Sequence, residues 1–403
     1  IDENGITWNF TVSNKRAINV YYESGDLPEN LVIPSTLKGC PVTSLYNEYE
    51  KNIFAKSTTN NTIKKIIIPD SVTSIGSSAF YKCTSLTNIT IPDSVTSIDG
   101  YAFLYCYKLS DLSIGNKVKS IGYEAFMYCK ALTSITIPDS VTNIGDYAFS
   151  GCKSLTSVTI GNSVMSIGKN TFSSCTSLIS VTIPDSVTSI EEYAFYNCSL
   201  LKNVTISNSV TSIGNEVFGN CDSLERIDVD KNNMKYSSKD GILFDKYKLT
   251  IIKYPSNKRD ITEYVIPKTV NNISEKAFCK CTALINVTIP DSVTNIGSKA
   301  FYGCTALTNV TIPDSITNIG RYTFSRCTAL INVTIPDSVT SIGSDAFHGC
   351  TSLTNMTIPD SVTSIESYVF YECTSLTNVI IPDSVTSIGS HAFYGCTSLT
   401  NMT

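Results

Sequence analysis

One pattern of apolar and polar residues repeats along most of the chain. Residues 86–106 read LTNITIPDSVTSIDGYAFLYC, and residues 88–91 alternate polar and apolar side chains. Such alternation predicts a β-strand with one buried face. The following Pro92, Asp93 and Ser94 predict a turn, because proline fixes φ and short polar side chains satisfy nearby backbone groups.

Two further apolar groups complete the unit. Val95 and Ile98 begin a second short segment, and Ala102, Phe103 and Cys106 have the spacing of one side of a short helix or helical turn. A unit this small cannot bury its own apolar stripe, so copies must stack on one another. We therefore predict a repeat solenoid, a horseshoe or arc with a parallel β-sheet on one side and short helices and turns on the other.

Two residue types show that the unit is 23 residues long. The periodic cysteines are Cys83, Cys106, Cys129, Cys152, Cys175, Cys198 and Cys221, then Cys281, Cys304, Cys327, Cys350, Cys373 and Cys396. A phenylalanine precedes each of them by three residues, from Phe80 to Phe393. Side chains in these positions are expected to form columns along the stack.

Two stretches depart from this period. Residues 1–30 hold two alternating runs around residues 13–16, which predict a β-hairpin that caps the first edge. Between Cys221 and Cys281 there are 60 residues where two units would take 46, and two apolar runs predict a second hairpin there. A domain boundary in this stretch is the alternative.

The predicted organisation follows from these breaks. A cap covers 1–30, and a degenerate first repeat covers 31–62, with Phe54 as its anchor and a polar tract at 57–62. Regular repeats cover 63–223, an enlarged repeat with a hairpin covers 224–266, and regular repeats cover 267–403.

Composition narrows the possible functions. The 403 residues include 30 Lys and Arg, 35 Asp and Glu, and two histidines, for a net charge of −5. Nucleic-acid binding needs clustered basic residues, so we expect no nucleic-acid partner, and no apolar run is long enough to insert in a membrane. His348 and His391 have no triad-like setting, and no catalytic motif is present. We predict a protein that is not an enzyme, with no catalytic residue and no cofactor.

The unit resembles a known repeat. Leu86, Ile89 and Ile91 meet the leucine-rich repeat pattern L-x-x-L-x-L, and the longer consensus IPDSVTSIGxxAFxxC is similar to the BspA-like subclass with Treponema-type 23-residue repeats. The resemblance covers residues 31–403. The sequence departs from the general pattern at Ser94, where asparagine is usual, so no continuous asparagine ladder is expected.

This resemblance implies an extracellular or cell-surface location and a non-enzymatic protein-binding scaffold. It further implies an adhesin that contacts host extracellular matrix proteins or other cells. A passive stalk that displays another domain of a longer protein is the alternative. The pattern stops inside a strand at residues 401–403. Two interpretations are open: the chain is a fragment of a longer protein, or a partner covers its last strand. End-to-end self-association is one form that such a partner contact would take.

The cysteines and aspartates are candidate metal ligands. We interpret the periodic cysteines as buried free thiols, and Cys279-Lys280-Cys281 as a poor zinc half-site, so no metal site is predicted. A second column follows the turn proline: Asp70, Asp93, Asp139, Asp185, Asp291, Asp314, Asp337, Asp360 and Asp383. A calcium stripe is one interpretation of this column, and solvated turn residues that accept backbone N–H bonds are the one we favour.

The outward strand positions form the candidate ligand-binding site. Its residues are Asn88, Thr90, Thr136, Thr159, Thr182, Asn203, Thr205, Asn286, Thr288, Asn309, Thr311, Asn332, Thr334, Asn355 and Thr357. This polar face either binds a protein ligand or only keeps the array soluble. Tyrosines near the predicted helical turns mark the outer side as a rival site: Tyr101, Tyr105, Tyr107, Tyr123, Tyr128, Tyr193, Tyr196, Tyr368, Tyr371 and Tyr394.

Overall fold

The structure is a computed structural model that describes residues 1–46, 52–54 and 60–402. Part of the predicted polar tract, residues 57–59, lies outside the described residues. The chain divides into two compact units, Ile1–Cys221 and Asp222–Thr403. Each unit is a parallel β-solenoid, which confirms the predicted fold class. The residue boundaries of the individual repeats stay predictions.

Each regular coil contributes one strand to each of two sheets, here named the face sheet and the short-strand sheet. In the first unit the face-sheet strands are Asn30–Val32, Lys65–Ile67, Asn88–Ile91, Asp111–Ile114, Ser134–Thr136, Ser157–Thr159, Ser180–Thr182 and Asn203–Ile206. The short strands are Ser44–Leu45, Ser74–Ile75, Ser97–Ile98, Ser120–Ile121, Asn143–Ile144, Ser166–Ile167, Ser189–Ile190 and Ser212–Ile213. A small antiparallel pair, Thr36–Leu37 and Cys40–Pro41, lies in the first coil.

The second unit repeats this arrangement. Its face-sheet strands are Glu263–Val265, Asn286–Thr288, Asn309–Thr311, Asn332–Thr334, Asn355–Thr357, Asn378–Ile380 and Asn401–Met402. Its short strands are Asn272–Ile273, Asn295–Ile296, Asn318–Ile319, Ser341–Ile342, Ser364–Ile365 and Ser387–Ile388. Four longer strands precede them: Arg226–Val229, Tyr236–Lys239, Ile242–Asp245 and Thr250–Lys253.

Register is set by the apolar residues. Val310 pairs with Val333 and Thr311 with Thr334 in the neighbouring parallel strand, so matching residues of successive coils are neighbours. A slip of one residue would turn every buried isoleucine and valine toward solvent, and burial of one face therefore fixes the pairing. The predicted columns of equivalent side chains are present in both units.

Two columns fill the core opposite the sheets. The phenylalanine rings stack from coil to coil; Phe103 and Phe126, for example, have centroids 4.9 Å apart and an interplanar angle of 5°. Beside them the periodic cysteines from Cys83 to Cys373 are buried, and Cys396 is half-buried. The thiol of Cys129 donates to the carbonyl oxygen of Phe103, 3.5 Å away. This contact recurs along the stack and joins the two columns.

The prediction of short helices beside these columns was wrong. The single helix among the described residues is the 3-10 turn Asn60–Thr62. Around Phe103 the chain makes consecutive turns instead, because Tyr101 and Tyr105 have φ of 62° and 64°. These left-handed values interrupt the right-handed backbone that a helix requires.

Hydrogen bonding explains why turns replace the helix. The amide of Leu104 donates within its own turn, to the carbonyl of Tyr101, whereas the amide of Phe103 donates to Ala125 in the next coil. This alternation recurs through the array, so about half of the turn amides hold neighbouring coils together. A helix would use those amides within one coil and leave the stack without these bonds.

Antiparallel hairpins precede the regular short strands in both units. In the first unit Thr7–Ser13 pairs with Arg16–Ser24, and the latter meets the short-strand sheet through Val20 and Leu45. In the second unit Tyr236–Lys239 pairs with Ile242–Asp245, which pairs with Thr250–Lys253. The last of these strands then pairs in parallel with Asn272–Ile273.

Candidate functional site

The predicted site residues lie on the outer surface of the face sheet. Successive side chains of a strand point to opposite sides, so Val310 is buried while Asn309 and Thr311 are exposed. The same pattern holds in the other strands: every predicted threonine is exposed, and among the asparagines only Asn88 and Asn286 are half-buried. In the second unit the predicted residues form two adjacent columns, whereas in the first unit Asn88 and Asn203 lie apart, because the coils between them carry Asp111 or serine at this position.

Side-chain hydrogen bonds order the asparagine column. The Nδ2 of Asn378 donates to the Oδ1 of Asn355, 2.9 Å away, and that of Asn286 donates to the Oε1 of Glu263, 3.1 Å away. Asn88 donates in the same way to the carboxylate of Asp111. These bonds fix the orientation of the amide groups of Asn88, Asn286 and Asn378, each of which keeps further donor or acceptor capacity.

Sequence reasoning missed aliphatic residues in the threonine column. Val32 pairs with Ile67, which pairs with Thr90, and the two aliphatic side chains are 44% and 45% exposed. In the second unit Val265 is 70% exposed and Ile380 is 51% exposed at equivalent positions. Alignment of the repeats would have found them, because each stands where other units have threonine.

A groove crosses four strands of the face sheet near its first coils. Its volume is about 770 Å³, and its lining includes Lys65, Ile67, Thr90 and Ser113. Gly115 also lies in its wall, and a side chain would not fit there because a Cβ atom would lie 2.5 Å from the carbonyl oxygen of Pro92. The groove thus places an exposed isoleucine among hydroxyl groups, with Asp70 and Asp93 also in its lining.

The buried cysteines cannot serve as nucleophiles in the folded protein. Burial raises the pKa of Cys83 and of Cys152 to about 12 and moves the pKa of the neighbouring thiols in the same direction. The thiolate is the reactive form, so these groups act as small apolar side chains with a weak hydrogen bond. Cys279 is half-buried and Cys281 is fully buried, and no metal-ligand cluster occurs among the described residues.

The aspartate column has a structural role in two coils. The Oδ1 of Asp93 accepts the backbone N–H of Asn116 at 2.7 Å, and the Oδ1 of Asp139 accepts that of Asn162 at 2.8 Å. These bonds run to the next coil, whereas the sequence suggested bonds within the turn. They favour the turn interpretation over a calcium stripe.

The tyrosines form clusters on the turn side of each unit. In the first unit Tyr105 stacks on Tyr128 with centroids 5.4 Å apart, and Tyr101 contacts Tyr123 edge-on. In the second unit His391 stacks on Tyr368 at 5.2 Å. The rival surface therefore exists as a set of partly exposed rings that contact one another.

No helix in the described part of the chain has the length and apolar character that a membrane crossing needs. Leucine-rich repeat scaffolds are generally non-enzymatic.

Comparison with known proteins identifies the family. The profile of the BspA type leucine rich repeat region matches residues 47–175, 119–240, 250–374 and 322–403. A solved leucine-rich repeat protein from Bacteroides ovatus is 31% identical with a TM-score of 0.64, and the match covers 100% of this chain and 93% of that one. No curated protein matches the chain.

Two further solved structures are similar. A leucine rich cell surface protein from Faecalibacterium prausnitzii is 30% identical with a TM-score of 0.65, over 100% of this chain and 93% of that one. A leucine-rich repeat protein from Eubacterium ventriosum is 26% identical with a TM-score of 0.64, over 78% and 91%. The chain therefore belongs to the BspA-type leucine-rich repeat family.

Proposed function

We propose that this protein is a cell-surface or secreted adhesin that binds host extracellular matrix proteins through the face sheet. Leucine-rich repeat surface proteins act as interaction scaffolds, and one similar structure is that of a cell surface protein. The observation that carries the proposal is the presence of exposed Val32 and Ile67 in an otherwise hydroxyl-rich column. Apolar anchors surrounded by polar groups are typical of protein interfaces.

A passive stalk needs no such feature. A surface that only keeps the array soluble would favour polar side chains at every outward position, because exposed apolar side chains promote aggregation. The tyrosine clusters are the second candidate surface, since aromatic residues are enriched at interfaces. The first experiment must therefore separate the two sides of the coil.

The test measures retention of the protein on a panel of immobilised matrix proteins. The variant Thr311→Lys/Thr334→Lys adds two charges to the face sheet, at positions that are neighbours across paired strands. Asn318→Lys/Ser341→Lys is the matched control, because it adds the same charges to the short-strand sheet of the same coils. We expect the first variant to lose retention and the second to keep it.

A single substitution tests the groove. Ile67→Asp places a carboxylate in the groove, at the position that pairs with Val32 and Thr90. We expect weaker retention from this variant if the ligand uses the groove. Retention unchanged in every face variant would move the site to the tyrosine side, and no retention by any matrix protein would favour the stalk. End-to-end self-association stays a prediction, which sedimentation would test.

A further inference from the structure

The segment that contains the three antiparallel strands of the second unit is basic in an acidic protein. Residues 231–268 hold nine Lys and Arg against four Asp and Glu, whereas the whole chain has a net charge of −5. Five of these lysines lie at or beside the turn 246–249, which joins Ile242–Asp245 to Thr250–Lys253, and they are here named the basic tip: Lys231, Lys235, Lys246, Lys248 and Lys268. They belong to three segments that are separate in sequence.

Backbone contacts bring the three segments together. The amide of Lys246 donates to the carbonyl oxygen of Lys235 at 2.8 Å, which joins the loop before Tyr236–Lys239 to the turn 246–249. The hydroxyl of Thr269 donates to the carbonyl oxygen of Lys248 at 3.1 Å, which joins that turn to the next coil. The ammonium of Lys246 also donates to the carbonyl oxygen of Asn233 and is thereby positioned at the tip.

The acidic groups of the tip are engaged by the backbone. The carboxylate of Asp230 accepts the N–H of Asn232 at 2.8 Å. The Oδ1 of Asp245 accepts the N–H groups of Leu249 and Thr250 at 2.7 and 2.9 Å. Both carboxylates are thus turned toward backbone N–H groups, while Lys231, Lys235 and Lys268 are exposed to a ligand and Lys248 is half-buried.

Lys268 departs from the repeat at this place. It follows the turn proline, where the next five coils of the unit carry Asp291, Asp314, Asp337, Asp360 and Asp383. The charge at this position is therefore positive, rather than negative, in the coil that contacts the turn 246–249.

The tip also exposes apolar side chains. Tyr247 is 77% exposed and Met234 is 75% exposed, the highest values among large apolar residues of the described chain after Ile1. Tyr236 pairs with Asp245 at this end of the two strands. Met234 lies two residues before Tyr236, and Tyr247 lies two residues after Asp245, so both are just beyond the paired region. An exposed tyrosine ring beside ammonium groups can stack on a sugar ring while the lysines bind its anionic substituents.

We propose that the basic tip binds a linear sulfated polysaccharide, as a second site independent of the face sheet. A flexible chain can cross the tip and contact lysines of all three segments. A flat anionic bilayer would also approach Asp291 and the aspartates of the following coils, and like charges would oppose that approach. The local change of sign thus favours a narrow polyanion over a planar surface.

The experiment measures affinity of the full chain for heparin, used as the probe, as a function of NaCl concentration. The parent protein is expected to bind at low salt and to lose affinity as salt rises, because lysines that neutralise sulfate groups release bound counterions. Lys231→Gln/Lys235→Gln/Lys248→Gln should weaken binding at least about tenfold and lower the salt slope. Lys246 is left unchanged because its ammonium holds the loop.

The chain offers two controls. Lys108→Gln/Lys117→Gln/Lys119→Gln removes the same charge from exposed positions of the first unit and should leave affinity unchanged. Lys268→Asp introduces the residue of the next five coils and should weaken binding, whereas Lys117→Asp should not. Circular dichroism melting of each variant checks that the fold is retained.

Three outcomes would overturn the proposal. The parent protein does not bind heparin at low salt, or both triple variants lose affinity equally, or the protein binds phosphatidylserine vesicles through the same lysines and ignores heparin. The last result would assign the tip to a membrane surface. Because matrix-protein retention is measured with face-sheet variants, failure here would leave the adhesin proposal standing.

Discussion

The ring of Phe195 stacks between those of Phe172 and Phe218, with centroid distances of 5.5 and 6.0 Å. Removal of this ring would leave a cavity that neighbouring coils cannot close without breaking their strand register. We expect Phe195→Ala to lower the free energy of unfolding by about 3–5 kcal/mol in denaturant titration. Met165→Ala, at a side chain that is 61% exposed, is the control and should change it little. A negligible loss for Phe195→Ala would contradict the core assignment.

The thiols differ in accessibility, which predicts selective alkylation. Cys152 is fully buried and its pKa is raised to about 12, whereas Cys40 is half-buried in the short strand Cys40–Pro41. In native protein at pH 8 we expect iodoacetamide to modify Cys40 and to leave Cys152 unmodified, as read by peptide mass spectrometry. Denaturant should make both react. Equal labelling of the two residues in the native state would show that the column is open to solvent.

The same burial predicts loss of stability at alkaline pH. A buried thiol with a pKa near 12 in the folded state and near 9 in the unfolded state favours the folded form at low pH. The contribution of each thiol to the free energy of unfolding is fully present below pH 9. It falls by about 1.4 kcal/mol per pH unit as the pH rises from 9 toward 12. We expect the melting temperature to drop steeply in this range.

Tyrosines titrate in the same range, so a variant must isolate the thiols. Burial raises the pKa of Tyr264 to about 12. Cys129→Ala/Cys152→Ala removes two thiols and no tyrosine, and its melting temperature should fall less steeply with pH than that of the parent. An identical pH slope would assign the alkaline transition to other groups.

Calcium should have no effect on folding. The carboxylate of Asp93 accepts a backbone N–H of the next coil, and we interpret the whole aspartate column as turn residues. The melting temperature should therefore be the same in calcium and in chelator. Asp93→Ala should cost about 1 kcal/mol through loss of that hydrogen bond, in either buffer. Melting that depends on calcium would restore the alternative interpretation.

Periodicity in the sequence was sufficient to predict the columns. Alternation at residues 88–91 requires that Ile89 and Ile91 face inward and Thr90 outward, whatever the shape of the stack. The 23-residue spacing then places matching residues beside each other in register. The exposed face could be predicted for this reason, although Val32 and Ile67 stayed hidden in the degenerate first coils.

The turn side could not be predicted in the same way. The spacing of Ala102, Phe103 and Cys106 fits one side of a helix as well as a run of turns, and only the hydrogen bonds to the next coil decide between them. Those bonds depend on left-handed residues such as Tyr105, a conformation that side chains of this size seldom adopt.

The sequence by itself determined the repeat, the buried and exposed faces and the family, because each depends on side-chain spacing within one coil. The tertiary structure decided what depends on contacts between distant segments. Lys231, Lys246 and Lys268 are scattered in the sequence, and they meet only because a hairpin turn bonds to the loop before it and to the coil after it. Charge clusters of this kind follow from chain path rather than from local pattern, so they become visible only in the folded protein.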